Sequence, residues 1–408
     1  MPLYSYTAKS QEGEVKTGEM EVKDKHELAR LLRDDGYILI SSDFKYRKKR
    51  QFSIDINAFI SNIKGVSLVE KMNFTRNLSV MIGAGLPIID ALSILSEQTK
   101  NTKFKNTILD ISGNIQKGFS LGDSFSIHKN VFSDLFVNMI KVGEASGKLE
   151  EVLKILENQM RKEYELKSKI KGAMMYPSVI VIAMIGIGIL EMIMVVPKLA
   201  ETFEELNAEL PIATKIVIYS SDIMAKYWMF VIIAALGVVY LLRIFFRTSR
   251  GKAILDAVMI NFPLFGGLIR KVNSARFSRI MSSLTEAGVS MIKSLDITSK
   301  TLTNKYYRDS LSEAEKEVEK GRDLSESLRK YKKLYPSMVT EMIKVGEKTG
   351  TIGEVLARVA DFYEEQVTNI TKNLATIIEP VLMVIIGAVV GFFAISMIQP
   401  IYSMMGNI

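Results

Sequence analysis

The chain carries one segment twice, 203 residues apart, and each copy runs into a long apolar stretch. FTRNLSVMIGAGLPIIDAL at 74–92 aligns with FSRIMSSLTEAGVSMIKSL at 277–295. The same offset aligns KGFSLGDSF (117–125) with KGRDLSESL (320–328) and VGEASG (142–147) with VGEKTG (345–350). It also superimposes Pro177 on Pro380 and Pro197 on Pro400, with no gap. A duplicated segment folds twice into the same unit. A motif that matters to that unit must therefore survive in both copies, and one that does not belongs to a single copy.

Three stretches, 173–196, 228–246 and 376–399, have the length and composition of membrane spans. About 20 apolar residues rising 1.5 Å each cover the roughly 30 Å of a bilayer's hydrocarbon. Both repeats lead into a span of the same polarity, so 228–246 must supply the return crossing, as a parallel repeat requires. Arg161, Lys162, Lys167, Lys169 and Lys171 precede the first span, and Arg243, Arg247, Arg250 and Lys252 close the second. Between them, 197–227 carries Glu201, Glu204, Glu205, Glu209 and Asp222 against three lysines. Positive charge marks the cytoplasmic side. The expected topology places the N-terminus and both large polar regions in the cytoplasm, with 197–227 and the tail 400–408 outside. Topology then explains much of the positive charge behind the net +8; membrane lipid is an expected partner and nucleic acid is not. No removable signal peptide is predicted.

The expected fold class is mainly α: a polytopic membrane protein with two repeated cytoplasmic bundles of about six helices, three transmembrane helices and a small N-terminal α+β module. Within 1–50, LYSYTAK and EVKTGEMEV alternate like two strands, KHELARLLRDDG has helical spacing, and YILISS suits a third strand. The basic run KYRKKR (45–50) links this module to repeat 1 (51–172); repeat 2 occupies 247–375. In the first copy, helices are expected over about 68–83, 87–98, 102–117, a short stretch after Ser120, 132–145, and from Lys148 onward into the span. EAGVS in the second copy lacks the proline and first glycine of GAGLP, so a different turn is expected there.

Two motifs suggest chemistry and fail the repeat test. GEASGK (143–148) resembles a phosphate-binding loop, but three residues rather than four separate its glycines and Leu149 replaces the required Ser or Thr. Thr351 also stands at the position of Lys148. GFSLG (118–122) spells a hydrolase nucleophile elbow, but a helical segment precedes it and Asp323 replaces Ser120. Helix capping by Ser120 and Asp323 is the simpler reading. Without cysteine and with only His26 and His128, thiolate and histidine metal sites are excluded. We therefore expect no catalytic residue, cofactor or metal. Gly143, Glu144, Gly147, Gly346, Glu347 and Gly350 remain as candidates for structural turns or partner interfaces. Pro177 and Pro380 are candidates for membrane-helix kinks.

The YSYTAKSQEGEVKTGEMEV opening, the doubled GAGLP/EAGVS and VGEASG/VGEKTG segments, the two bundles and the three spans closely resemble the inner-membrane platform proteins of type II secretion and type IV pilus machines (the GspF/PilC family). The resemblance covers essentially the whole chain. It implies a non-enzymatic platform in the inner membrane that couples a cytoplasmic assembly ATPase to extraction of pilin or pseudopilin subunits. Other inner-membrane assembly proteins and further copies of the chain are implied as partners. The alternative is a transporter or channel component, which needs polar groups at mid-membrane. The spans hold only Glu191 and Glu379 as acids, each near an end.

Overall fold

The computed structural model describes residues 3–10, 15–45, 65–205, 210–263 and 265–405. They form two compact units, divided at Lys64.

The first unit is a three-stranded antiparallel sheet in the order β2-β1-β3, from β1 (Leu3–Ser10), β2 (Val15–Glu21) and β3 (Tyr37–Lys45). Helix α1 (Lys25–Asp34) buries Leu28 and Leu32 against Tyr6, Ala8 and Val22. Asp24 caps its first turn by accepting the Glu27 N–H at 2.8 Å. Residues 11–14, and residues 46–50 of the basic run, lie outside the described residues.

In the second unit, repeat 1 comprises α2 (Leu68–Gly83), α3 (Ile88–Gln98), α4 (Thr102–Gln116), α5 (Leu121–Ser126), α6 (Asp134–Ser146) and α7 (Leu149–Ala173). These are the six helices the spacing predicts. Side-chain caps fix several starts: Ser67 and Glu70 form a reciprocal capping box on α2, Asn101 caps α4 and Ser133 caps α6. Phe74, Phe104 and Phe132 pack at the centre with ring centroids 5.4–6.1 Å apart.

Repeat 2 forms the same bundle from α12 (Gly266–Glu286), α13 (Met291–Thr301), α14 (Lys305–Glu319), α15 (Leu324–Arg329), α16 (Ser337–Thr349) and α17 (Ile352–Met405). Its central rings are Phe277, Tyr307 and Tyr335, at the 203-residue counterparts of the three phenylalanines. The added hydroxyls are not left unpaired: Tyr307 donates to the Leu334 carbonyl, and Tyr335 pairs with Ser310 Oγ at 3.0 Å. The turn expected to differ does not. Gly85 and Gly288 adopt φ of 84° and 82°, and Leu86 and Val289 donate back to Met81 and Leu284. The left-handed glycine shared by GAGLP and EAGVS sets this turn, so losing the proline leaves it unchanged.

The structure departs from expectation in the connections. Residues read as an external loop over 197–227 are helical in α9 (Val196–Glu205) and in the start of α10 (Ile212–Phe245). The second span is the later part of α10, beyond a kink at Tyr227 (φ −119°, ψ 26°). The first span does not join α7 unbroken: the helix loosens at Met174 before α8 (Met175–Leu190), then passes through a π-helical turn, Glu191–Val195. Each irregularity lies within a turn or so N-terminal to a proline, Pro177 and Pro197, whose missing N–H strips a carbonyl of its partner. A helix not anticipated from the sequence, α11 (Ser249–Asn261), follows the second span. The two bundles also share one continuous apolar core rather than two separate ones.

Candidate functional site: the repeated glutamates and the seam between bundles

The six glycine and glutamate candidates form one device, built twice. Helix α5 is too short to be stable on its own, and its N-terminus has N–H groups without intrahelical partners. Glu144 reaches across from α6 and accepts the Leu121 N–H at 2.7 Å and the Gly122 N–H at 2.9 Å. Glu347 does the same for α15, accepting from Leu324 at 2.5 Å and Ser325 at 3.3 Å. Gly147 and Gly350 end α6 and α16 with φ of 68° and 72°, where a side chain is strained. A Cβ on Gly143 would lie 3.0 Å from Val152 Cβ, and one on Gly346 would lie 2.9 Å from Ile352 Cα. The motif thus ends one helix, lets the next approach closely and pins a third.

The caps differ between copies. Ser120 accepts the Asp123 N–H at 3.0 Å, as expected, but Asp323 occupies the cap position without a side-chain hydrogen bond. Lys148 is exposed at the start of α7 and lies 3.4 Å from Glu151. Thr351, its counterpart, pairs with Thr349. The backbone around Lys148 closes a helix end, with its N–H bonded to the Gly143 carbonyl, and forms no phosphate cradle.

Pro177 stands in the first turn of the apolar helix α8. Pro380 lies inside α17, which passes it, and Pro400 as well, as a single helix of 54 residues. The same proline therefore loosens the helix in the first copy and leaves it continuous in the second.

A second cluster lies between the bundles. Arg279 on α12 donates to both oxygens of Glu364, at 2.9 and 3.0 Å, and to Asp361, both on α17. Lys162, from α7 of the other repeat, lies 3.4 Å from each of these carboxylates. Gln159 accepts from Ser283 nearby at 3.3 Å, also across the repeats. The Arg279 and Glu364 side chains are only 10% and 15% exposed. Burial alone would disfavour the Arg279 cation, but its hydrogen bonds to Glu364 and Asp361 outweigh this and hold its pKa above the usual value. Burial would raise the Asp361 pKa, and Arg279 and Lys162 together hold it below the usual range.

The only trace of this seam in the sequence is a departure of the second copy from the first. Arg279 matches Arg76, but Asp361 and Glu364 stand where the first copy has Asn158 and Arg161. Arg76 is exposed. The network is therefore particular to the second copy. Arg279→Ala is expected to lower stability by about 2 kcal/mol, because Glu364 stays buried with only Lys162 beside it. The loss should appear as a lower thermal midpoint of the detergent-solubilised chain. The depressed Asp361 pKa fixes the pH dependence. Its contribution is complete above about pH 4, the unfolded value, and is lost as pH falls through the lower folded value. The gap between wild type and variant should narrow accordingly in acid.

Among the described residues, three helical segments, Leu149–Glu205, Ile212–Phe245 and Ile352–Pro400, are long and apolar enough to cross a membrane. The family profile described as type II secretion system protein F matches residues 74–197 and again 277–400, and its N-terminal-domain profile matches 1–42. The chain is 32% identical to a type IV pilus assembly protein PilC of Thermus thermophilus over 408 residues, covering all of this chain and 99% of that protein. It is 34% identical to the PilC of Myxococcus xanthus, covering 99% and 95%. It is 30% identical to a type II secretion system protein F of Xanthomonas campestris, covering 99% of each. The duplicated match reproduces the duplicated bundle and span, and the chain belongs to the type II secretion system protein F family, which includes the PilC proteins of type IV pilus assembly.

Proposed function

We propose that this chain is the inner-membrane platform of a type IV pilus or type II secretion machine, coupling a cytoplasmic assembly ATPase to the extraction and polymerisation of pilin or pseudopilin subunits. One observation carries the reading: α17 is common to the bundle core and to the third apolar stretch. Its Leu356, Val359 and Tyr363 sit in the bundle core, and the same helix continues through the third apolar stretch. At 1.5 Å per residue it is about 80 Å long. An ATPase in the cytoplasm does not reach a subunit embedded in lipid. A helix shared by both compartments moves its two ends together.

In this reading the ATPase docks on the bundles, and subunits, together with other inner-membrane assembly proteins, contact the spans. The outer ends of the spans are held by an apolar cluster that includes Val196, Phe203, Val217 and Met397, and by Thr214 donating to the Ser396 carbonyl at 2.5 Å. Further toward the cytoplasm, no residue of the most apolar eighteen-residue stretch of α10 is buried by the chain itself. That surface suits lipid, a subunit or a second copy of the chain, and we expect a homo-oligomer.

Deleting the gene should abolish surface fibres or protein secretion, and which of the two is lost identifies the machine. Alkaline phosphatase fused after Ile408 should be active and after Lys252 inactive, as the Lys/Arg asymmetry requires. Intact fibres and secretion together with solute flux in proteoliposomes would instead establish a transporter.

A further inference from the structure

Helix α11 begins just after the second span ends at Phe245, and it lies outside both matched repeats. One face is anchored to the second bundle. Ile260 is buried, and the Asp256 carboxylate accepts the Lys305 N–H at 2.8 Å, capping α14. Were the helix bathed in cytoplasm, the opposite face would be polar. Instead Ile254 and Val258, with Phe262 just past the last helical residue, recur every fourth residue and are 53%, 57% and 48% exposed. A continuous exposed apolar stripe marks a contact surface, unlike single scattered residues.

The packing of α12 fixes where this stripe lies. Helix α12 runs antiparallel to α17: Gly353 approaches Thr285, Arg279 meets Asp361 and Glu364, and Leu268 clusters with Val367 and Leu374. The first turn of α12 therefore stands beside the point where α17 enters its apolar span. Helix α11 meets α12 at 109°. Its far end is tied to that boundary through α12, and its near end hangs from the last turn of α10. With both ends at the membrane boundary and its axis nearly perpendicular to α12, α11 runs close to the bilayer plane. Arg247 and Arg250 flank its start, and Lys332 and Lys333 line a cavity with Asn261 at its end; all four cations are exposed.

We infer that α11 is an interfacial helix. It lies in the cytoplasmic headgroup layer with the Ile254–Val258–Phe262 stripe turned into the acyl boundary, and the flanking arginines and lysines pair with anionic lipid headgroups. Such a helix sinks its apolar face roughly 5–10 Å into this layer. It thereby fixes the tilt of the second bundle on the membrane. The inference rests on the three helices being spans, and is independent of which machine the chain serves.

The chain has no cysteine, so a single one can be placed without background. Val258→Cys carries a fluorophore on the stripe, and Glu319→Cys carries it on an exposed face of α14. The full chain is reconstituted in phosphatidylcholine vesicles containing phosphatidylglycerol. The Val258 label should be quenched by a nitroxide at carbon 5 of the lipid chain severalfold more than by one at carbon 12, and shielded from aqueous iodide. The Glu319 label should show the reverse accessibility. Omitting phosphatidylglycerol should weaken the lipid quenching, and an unchanged value would remove the headgroup pairing. Equal iodide access at both positions would overturn the proposal. Shielding from iodide and lipid alike would put a protein on the stripe, and stronger quenching at carbon 12 would make the segment re-entrant; either overturns it too.

Discussion

Glu347→Ala is expected to lower the stability of the second bundle by about 3 kcal/mol, because it removes two charge-assisted hydrogen bonds from half-buried backbone N–H groups. Glu144→Ala should cost less, and the reason lies in the caps. Helix α5 keeps Ser120 as a second acceptor for its free N–H groups, whereas Asp323 makes no side-chain bond to α15. Glutamine at Glu144 retains a single acceptor oxygen and turns an N–H₂ donor toward the other amide, so it should recover less than half of the loss; at Glu347 one oxygen accepts from both amides, and glutamine should recover more. Thermal unfolding of the solubilised chain measures this order directly. Equal losses for the two alanine variants would show that Ser120 contributes nothing to α5. A negligible loss at Glu347 would mean that the short helix is held by Leu324 and Leu328 in the core alone.

These glutamates show where the sequence was informative and where it was silent. The glycines around them were legible, since a left-handed helix end favours glycine, and the repeat demanded the same answer twice. Glu144 and Glu347 were conspicuous by repetition, but their partners lie 22 and 23 residues earlier on another helix. Only the packed bundle reveals that contact. The six helices per copy were legible because caps and apolar spacing act locally. The helical course of 196–205 was hidden by Pro197 and by acidic residues that read equally well as a loop. The structure resolves that ambiguity through a π turn that accommodates the proline. The kink at Tyr227 had no signal, since neither proline nor glycine marks it. Asp361 and Glu364 were visible as departures of the second copy from Asn158 and Arg161. Their meaning needed Arg279 and Lys162 beside them.

The two copies also differ in the property on which the proposed coupling depends. The first span is loosened at Met174 and again through Glu191–Val195, while α17 is one helix. If the bundles drive the spans, the second copy is the stiffer connection, and a flexible insert there should be the more damaging. Four glycines between Lys372 and Asn373 would each weaken the helix by about 1 kcal/mol relative to alanine and let its two ends move independently. The same insert between Lys171 and Gly172 falls beside an existing irregularity, and a partial defect is expected there.

The direct measurement is fibre formation or secretion in cells carrying the Lys372–Asn373 insertion, scored alongside membrane insertion and ATPase binding of the same variant. The account predicts a protein that inserts and still binds the ATPase, yet assembles no fibres and secretes nothing. Normal fibres or secretion from that variant would show that motion does not travel through α17, and would contradict the coupling proposed for this chain.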